Sequence, residues 1–340
     1  MSTIDEINAQ PEKFEKLSER YSDLSKDLMK FFKDNQFSEV NFVGCGTSYN
    51  LAMGLSHQFR RLGKEKIPSR FFSGSEVAFG LKKLKKDGVL IGLSRSGEST
   101  ETVSALEKAK KTFGVKTVGI TCEKDSSITK VSDVSVALDF VDEKSVVMTQ
   151  SFTSMAFFVS AFIRHFFNVD SQHEYLQVIP QLAGKLLKNA SDFFDKFEFK
   201  EISHFVFLGY DEYFAASLEG VTKVTETSLS EVEAYQTLEY RHGPKSKVTQ
   251  RSLICILSNE VLHEEEAKVA IELKGLGGNV INISKREMKD VKNMVIPYDF
   301  DDFGDWFLRV IPLQIIGVKK AFEKGLNPDK PKNLTRVVKF

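Results

Sequence analysis

Apolar positions recur at helical spacing over residues 11–35, where Phe14, Leu17, Tyr21, Leu24, Leu28 and Phe31 form one stripe between charged residues. The pattern then changes to short unbroken apolar runs, each followed by glycine or hydroxyl residues. Val40–Val43 ends in Gly44-Cys45-Gly46-Thr47-Ser48 before a helical stretch from Tyr49 to Leu62. Gly88–Leu93 runs into Ser94-Arg95-Ser96-Gly97-Glu98-Ser99, and a helix follows from Glu101 to Phe113. Thr117–Thr121 and Val134–Leu138 read as further strands separated by a helix-like stretch ending at Val131, and residues 151–167 read as an apolar helix. Apolar strands alternating with helices predict a parallel sheet covered on both faces.

After a helical linker over 171–198 the order starts again. His204–Leu208 ends in Gly209 and leads into a helix through Glu219, while Ser252–Leu257, Val280–Ile283 and Met294–Tyr298 end in Ser258, Ser284 and Asp299. The paired strand ends lie 165 residues apart (Gly44 to Gly209), 164 (Ser94 to Ser258), 163 (Thr121 to Ser284) and 160 (Asp139 to Asp299). A slowly drifting offset with matched element order points to an internal duplication, against the alternative that any two α/β domains look alike at this level.

The two halves differ at their strand ends. Ligands of open parallel sheets bind beyond the carboxyl ends of the strands. There the first half offers hydroxyls and glycine-backed amides, which suit a phosphate dianion. The second offers carboxylates in Gly209-Tyr210-Asp211-Glu212 and Ser258-Asn259-Glu260-Val261, which repel one. One phosphate site per chain is therefore expected, in the first half. Serines at such turns also serve as helix N-caps, a role expected in part for Ser48 and Ser99. Thr47, Ser48, Ser94, Ser96 and Ser99 are nevertheless more hydroxyls than two caps require. Neither GxxxxGK[ST] nor GxGxxG is present, which favours a small phosphorylated substrate over a nucleotide.

The stretch Glu219–Pro244 carries a different chemistry. Glu219, Lys223 and Glu226 share one helix face, and Gly243-Pro244 leaves His242 on a loop. A carboxylate, an ammonium and an imidazole form an acid/base set; a surface helix with an ordinary i,i+4 ion pair is the plainer alternative.

Composition excludes several classes. Lys+Arg and Asp+Glu both number 47, so no global charge favours nucleic acid or an anionic membrane. The six histidines contain no HxxxH or HxH pair, and neither a metal nor a cofactor is expected. Cys45, Cys122 and Cys255 lie in or beside apolar runs without CxxC spacing and read as buried reduced thiols. The longest apolar run, Met155–Ile163, is too short to span a bilayer, and the N-terminus lacks an apolar signal core. A cytoplasmic, soluble protein is expected.

VGCGTSYNLA, LSRSGESTET, EGVTKVTE, EYRHGP and NPDKPKNLTRVV, in that order, resemble the sugar isomerase (SIS) family, specifically its double-domain amino-sugar branch. That branch includes the isomerase half of glucosamine-6-phosphate synthase and related deaminases and deglycases. The resemblance implies two flavodoxin-like α/β SIS domains, each a parallel five-stranded sheet flanked by helices. It divides the chain into an N-terminal helical segment (1–35), a phosphate-binding domain (36–170), the linker (171–198), an acid/base domain (199–325) and a tail closing on the active site (326–340). It also implies a homodimer with shared active sites. By the same resemblance Gly46, Thr47, Ser48, Ser94, Arg95, Ser96, Ser99, Thr149 and Arg336 bind the phosphorylated substrate. Glu226 moves a proton between C1 and C2, His242 assists ring opening from the neighbouring subunit, and Lys223 and Glu219 support them.

Two departures from the synthase select among activities. Arg336 stands where the synthase tail has an imine-forming lysine, and a guanidinium is a poor nucleophile for that step; Lys332 and Lys339 are out of register. Met148, within SVVMTQSFT, stands where the synthase has serine and matches the deaminase/isomerase branch. No glutamine-hydrolysing domain or initiating cysteine is expected. The expected activity is that of an amino-sugar-phosphate deaminase/isomerase, glucosamine 6-phosphate being the foremost substrate. A fructosamine-type deglycase, an aldose–ketose phosphosugar isomerase and a non-catalytic sugar-phosphate sensor are the alternatives.

Overall fold

The unbroken apolar runs fold as the central strands of two parallel sheets. The computed structural model describes residues 2–169, 172–296, 298 and 300–338. Asp170 and Ser171 at the expected domain boundary, Pro297 and Asp299 at the expected end of the last strand, and Lys339 and Phe340 of the tail lie outside them. The chain divides into two units. One comprises Ala9–Lys144, Met148–Pro180 and Thr335–Phe340, the other Met1–Asn8, Ser145–Val147 and Gln181–Leu334.

In chain order the elements begin with α1 (Thr3–Asn8), α2 (Gln10–Asp34), β1 (Val40–Gly44), α3 (Thr47–Leu62), β2 (Ser69–Ser73), α4 (Gly74–Ala78) and β3 (Val89–Leu93). They continue through α5 (Thr100–Lys108), β4 (Lys116–Thr121), α6 (Ser127–Val131), β5 (Val134–Ala137), α7 (Gln150–Phe166) and α8 (Gln172–Phe194). Then come β6 (His204–Gly209), α9 (Asp211–Ser228), β7 (Glu231–Tyr235), β8 (Ser252–Leu257), α10 (His263–Gly275), β9 (Asn279–Ser284), β10 (Lys292–Val295) and α11 (Val310–Glu323).

The first sheet has the order β2-β1-β3-β4-β5, every pairing parallel. The second has the order β10-β9-β8-β6-β7, also wholly parallel. Counted from the first strand of each, both follow the 2-1-3-4-5 order of doubly wound sheets. β1, β3 and β8 are buried along their whole length, as strands covered on both faces must be.

In the first unit α2 packs on α7 through Phe14–Phe157 and Phe32–Phe162 edge-on ring pairs. The buried stripe of α2 differs from the expected one at its end: Phe32 enters the core and Phe31 is half-buried, because α2 runs on to Asp34 in register with Leu28. In the second unit α9 and α11 cross closely at two glycines. A Cβ on Gly220 would lie 2.4 Å from Leu313, and one on Gly317 would lie 2.6 Å from Thr227 Oγ1. No helix among the described residues is long and apolar enough to cross a membrane. All three cysteines are free; Cys122 and Cys255 are buried, whereas Cys45 is only half-buried.

Candidate active site

β1 and β3 are neighbours, so their carboxyl-end loops lie side by side. The turn after β1 depends on glycine, since a Cβ on Gly44 would lie 2.3 Å from the Ser48 carbonyl oxygen. Gly46 then takes a left-handed φ of 56° as the N-cap of α3, and Thr47 and Ser48 form its first turn. After β3, Gly97 adopts φ 66°. Its amide donates to Ser94 Oγ at 3.1 Å, and Ser94 Oγ donates to Ser99 Oγ at 3.3 Å. Ser96 Oγ accepts the Glu98 amide at 3.2 Å.

The partial capping role expected of Ser48 and Ser99 is not seen. Ser48 lies inside α3, whose cap is glycine, and Ser99 occupies the N-cap of α5 without a side-chain capping bond. Two helix N-termini and a run of hydroxyls thus converge at adjacent strand ends, an arrangement that favours a phosphate.

Arg95 points elsewhere in this structure. Its guanidinium, 5% exposed, pairs with Glu143 at 3.0 Å and donates to the Arg336 main-chain carbonyl at 3.2 Å. Glu143 also accepts the Thr149 amide at 2.7 Å, the Thr149 hydroxyl at 3.0 Å, and the Ser151 amide and hydroxyl. Arg95 and Thr149 therefore meet on one buried carboxylate, and the backbone of Arg336 is held in turn by Arg95. The Arg336 side chain faces Glu123 at 3.4 Å in the open. Glu143 was not expected: its cationic partner Arg95 is 48 residues away in sequence, and Val141-Asp142-Glu143 reads locally as an ordinary acidic turn. A second missed feature, the Ser73–Glu76 capping box of α4, does carry a readable signal in its S-x-x-E spacing.

In the second unit α9 brings Glu219, Lys223 and Glu226 together. Lys223 Nζ lies 3.3 Å from Glu219 Oε1 and donates to Glu226 Oε2 at 2.7 Å. The side chains of Glu219 and Lys223 are 0% and 1% exposed, and that of Glu226 is 26% exposed. This burial removes the surface-ion-pair alternative. α11 causes it by packing closely at Gly317, where a Cβ would lie 3.2 Å from the Lys223 carbonyl oxygen. The result is a carboxylate held by an ammonium yet open to a small molecule.

His242 ends a 3-10 turn (Glu239–Arg241) and is exposed, and its imidazole makes no hydrogen bond among the described residues. Glu272 of α10 pins the turn from both sides, accepting Arg241 Nε at 2.9 Å and Lys245 Nζ. Those two cations, Lys245 foremost, hold the Glu272 carboxyl below the usual range.

The carboxyl end of the second sheet is filled by the protein itself. Arg309, wholly buried, pairs with Asp305 at 2.8 Å and donates to the carbonyls of Ser258 at 2.6 Å and Ile283 at 3.0 Å. Its guanidinium stacks 3.6 Å above the Tyr213 ring. Glu266 accepts the Asn259 amide at 3.0 Å and the Thr237 hydroxyl at 2.7 Å, and burial pushes its carboxyl up. No group of three or more His, Cys, Asp or Glu among the described residues could hold a metal ion.

A family model described as the SIS domain matches residues 37–164. The solved structure of glucosamine-6-phosphate deaminase from Thermotoga maritima is 32% identical with a TM-score of 0.82, over 99% of both chains. The C-terminal domain of glucosamine-fructose-6-phosphate aminotransferase from Francisella tularensis superposes with a TM-score of 0.85 at 25% identity, over 97% of this chain and 98% of that one. Glutamine–fructose-6-phosphate aminotransferase (isomerizing) of Buchnera aphidicola is 28% identical over 316 residues, 89% of this chain and 51% of that protein. The chain thus spans about half the length of the curated relatives it matches.

Proposed function

This chain belongs to the SIS-domain family, and on that premise we propose that it is an amino-sugar-phosphate deaminase/isomerase. It converts an aldosamine 6-phosphate and water into a ketose 6-phosphate and ammonia, with glucosamine 6-phosphate as the preferred substrate. The similarity to phosphosugar-converting relatives supports isomerase chemistry, and the full-length match to a deaminase supports amine release.

The observation that carries the reading is the α9 set: Glu226, partly exposed, accepts a hydrogen bond from an ammonium buried behind it. A base next to a carbonyl or imine carbon needs this combination of access and fixed orientation. Thr47, Ser48, Ser94, Ser96 and Ser99, with the amide of Gly46, hold the phosphate, while Arg95 and Thr149 act on that loop from Glu143. His242, supplied across a homodimer interface, assists ring opening. Glu226 then takes the C2 proton and returns it to C1 while a proton passes from the amine nitrogen to O1, converting the open-chain aldehyde and C2 amine into a C1 alcohol and a C2 imine. Water adds to that imine and ammonia leaves, so no enzyme lysine is required and Arg336 is compatible with the reaction.

We assign the chain boundaries as 1–35, 36–170, 171–198, 199–325 and 326–340, and the two sheets to an internal duplication. The shared strand order supports the duplication, as do the matched turns at Gly44 and Gly209, where a Cβ would strike the following helix in both cases. The test is ammonia release from glucosamine, galactosamine and fructosamine phosphates by the wild type and by Glu226→Gln. Release from an aldosamine 6-phosphate, abolished in Glu226→Gln, is expected. Isomerisation of aldose phosphates without ammonia would refute the deaminase reading.

A further inference from the structure

The last turn of α9 carries Glu226, and its carbonyls reach toward α11. Thr227 and Ser228 satisfy two carbonyls of the helix from within, donating to Lys223 O at 2.7 Å and Val224 O at 2.6 Å. Leu229 then leaves the helix in the left-handed region at φ 51°. Beyond that point the grip comes from another element. Lys324, the C-cap of α11, donates to Ser228 O at 2.9 Å, Leu229 O at 3.1 Å and Ser230 Oγ at 2.9 Å. A cation here meets the negative end of the α9 dipole and orphan carbonyls that its own helix cannot bond.

We propose that Lys324 is a positioning residue for Glu226, a role that rests on the reading of Glu226 as the proton carrier. α11 meets α9 at three successive points: Gly220 against Leu313, Gly317 against Thr227, and the Lys324 ammonium at the helix end. The first two fix Glu219 and Lys223, which sit in the middle of α9. The third fixes the turn that follows, so the direction of the Glu226 carboxylate relative to Lys223 depends on Lys324. A small error in placing a proton-transferring group is costly, because misplacement by about 1 Å lowers rates by up to ~100-fold.

The test compares Lys324→Met with Lys324→Arg in the full chain. Lys324 is exposed, so both substitutions leave the core intact. In Lys324→Met, amide exchange at Leu229 is expected to speed up by about tenfold, as for a released helix end. The Glu226 carboxyl carbon signal in NMR is expected to shift. On the proposed substrate, kcat is expected to fall by about ten- to a hundredfold with KM nearly unchanged. Lys324→Arg, which keeps the charge and the donors, restores all three. Unchanged exchange and an unmoved Glu226 signal would overturn the proposal, as would faster exchange with wild-type kcat. If the wild type converts no amino-sugar phosphate, the functional reading fails, while the exchange and NMR results still decide whether Lys324 positions Glu226.

Discussion

Replacing Lys223 by methionine removes an ammonium that is 1% exposed and faces two carboxylates, Glu219 at 3.3 Å and Glu226 at 2.7 Å. Methionine fills nearly the same volume, so the change isolates the charge. For an exposed i,i+4 pair the loss would be about 0.3–0.5 kcal/mol. Removing one partner of a buried pair costs ~3–5 kcal/mol, because the remaining charge stays desolvated. Glu226, 26% exposed, can turn to water, so the penalty falls mainly on Glu219 and the lower figure of ~3 kcal/mol applies. At about 2–4 °C per kcal/mol for a unit of this size, Tm should drop by roughly 6–12 °C. The assay is thermal unfolding of wild type, Lys223→Met and Glu219→Gln/Lys223→Met, followed by circular dichroism. The double variant should recover most of the loss, since neutralising both members of a buried pair is nearly neutral in stability. A Lys223→Met variant within about 2 °C of wild type, or a double variant as unstable as the single, would refute the argument from burial.

Ser99→Ala removes a hydroxyl not engaged in capping α5, so helix stability should hold while the KM for a sugar phosphate rises about tenfold or more; kinetics beside a melting curve separate the two. Gly44→Ala places a methyl 2.3 Å from the Ser48 carbonyl oxygen, and the variant should lose at least ~1–3 kcal/mol together with phosphate binding, read by urea unfolding and ligand titration. The Glu272 carboxyl is held below its ordinary range by Lys245 and Arg241, so its contribution is present above that range and lost as pH falls through the lowered value. Protection around His242, read as amide exchange relative to its intrinsic rate, should therefore fall on acidification, and Glu272→Gln should leave it low and independent of pH across that window; a loop equally protected in both proteins would contradict this.

The central strands are legible in the sequence because burial on both faces leaves an unbroken apolar run, as in Val89–Leu93 and Ser252–Leu257. Two of the edge strands, one in each sheet, are not. Ser69–Ser73 and Glu231–Tyr235 each pair on one side only and carry charged residues, so neither shows the continuous run that marks a central strand. The α9 spacing is likewise legible, since residues three and four apart share a helix face. Its burial depends on α11, whose glycine at 317 acquires meaning only when the two helices meet. Arg95 illustrates the same limit from the other side. The family resemblance makes it a phosphate ligand, and only the fold reveals that Glu143 has claimed its guanidinium.

The tail is fastened at Arg336 through a main-chain carbonyl, and every amino acid supplies that group. The side chain at this position contributes only a solvent-exposed contact with Glu123, of a kind worth about 0–1 kcal/mol. Anchorage and functional chemistry are therefore uncoupled at residue 336. Evolution can exchange the headgroup there without undoing the dock, and an engineer can do the same. Substituting an amine-bearing side chain would test new covalent chemistry on a tail that is still tied in place.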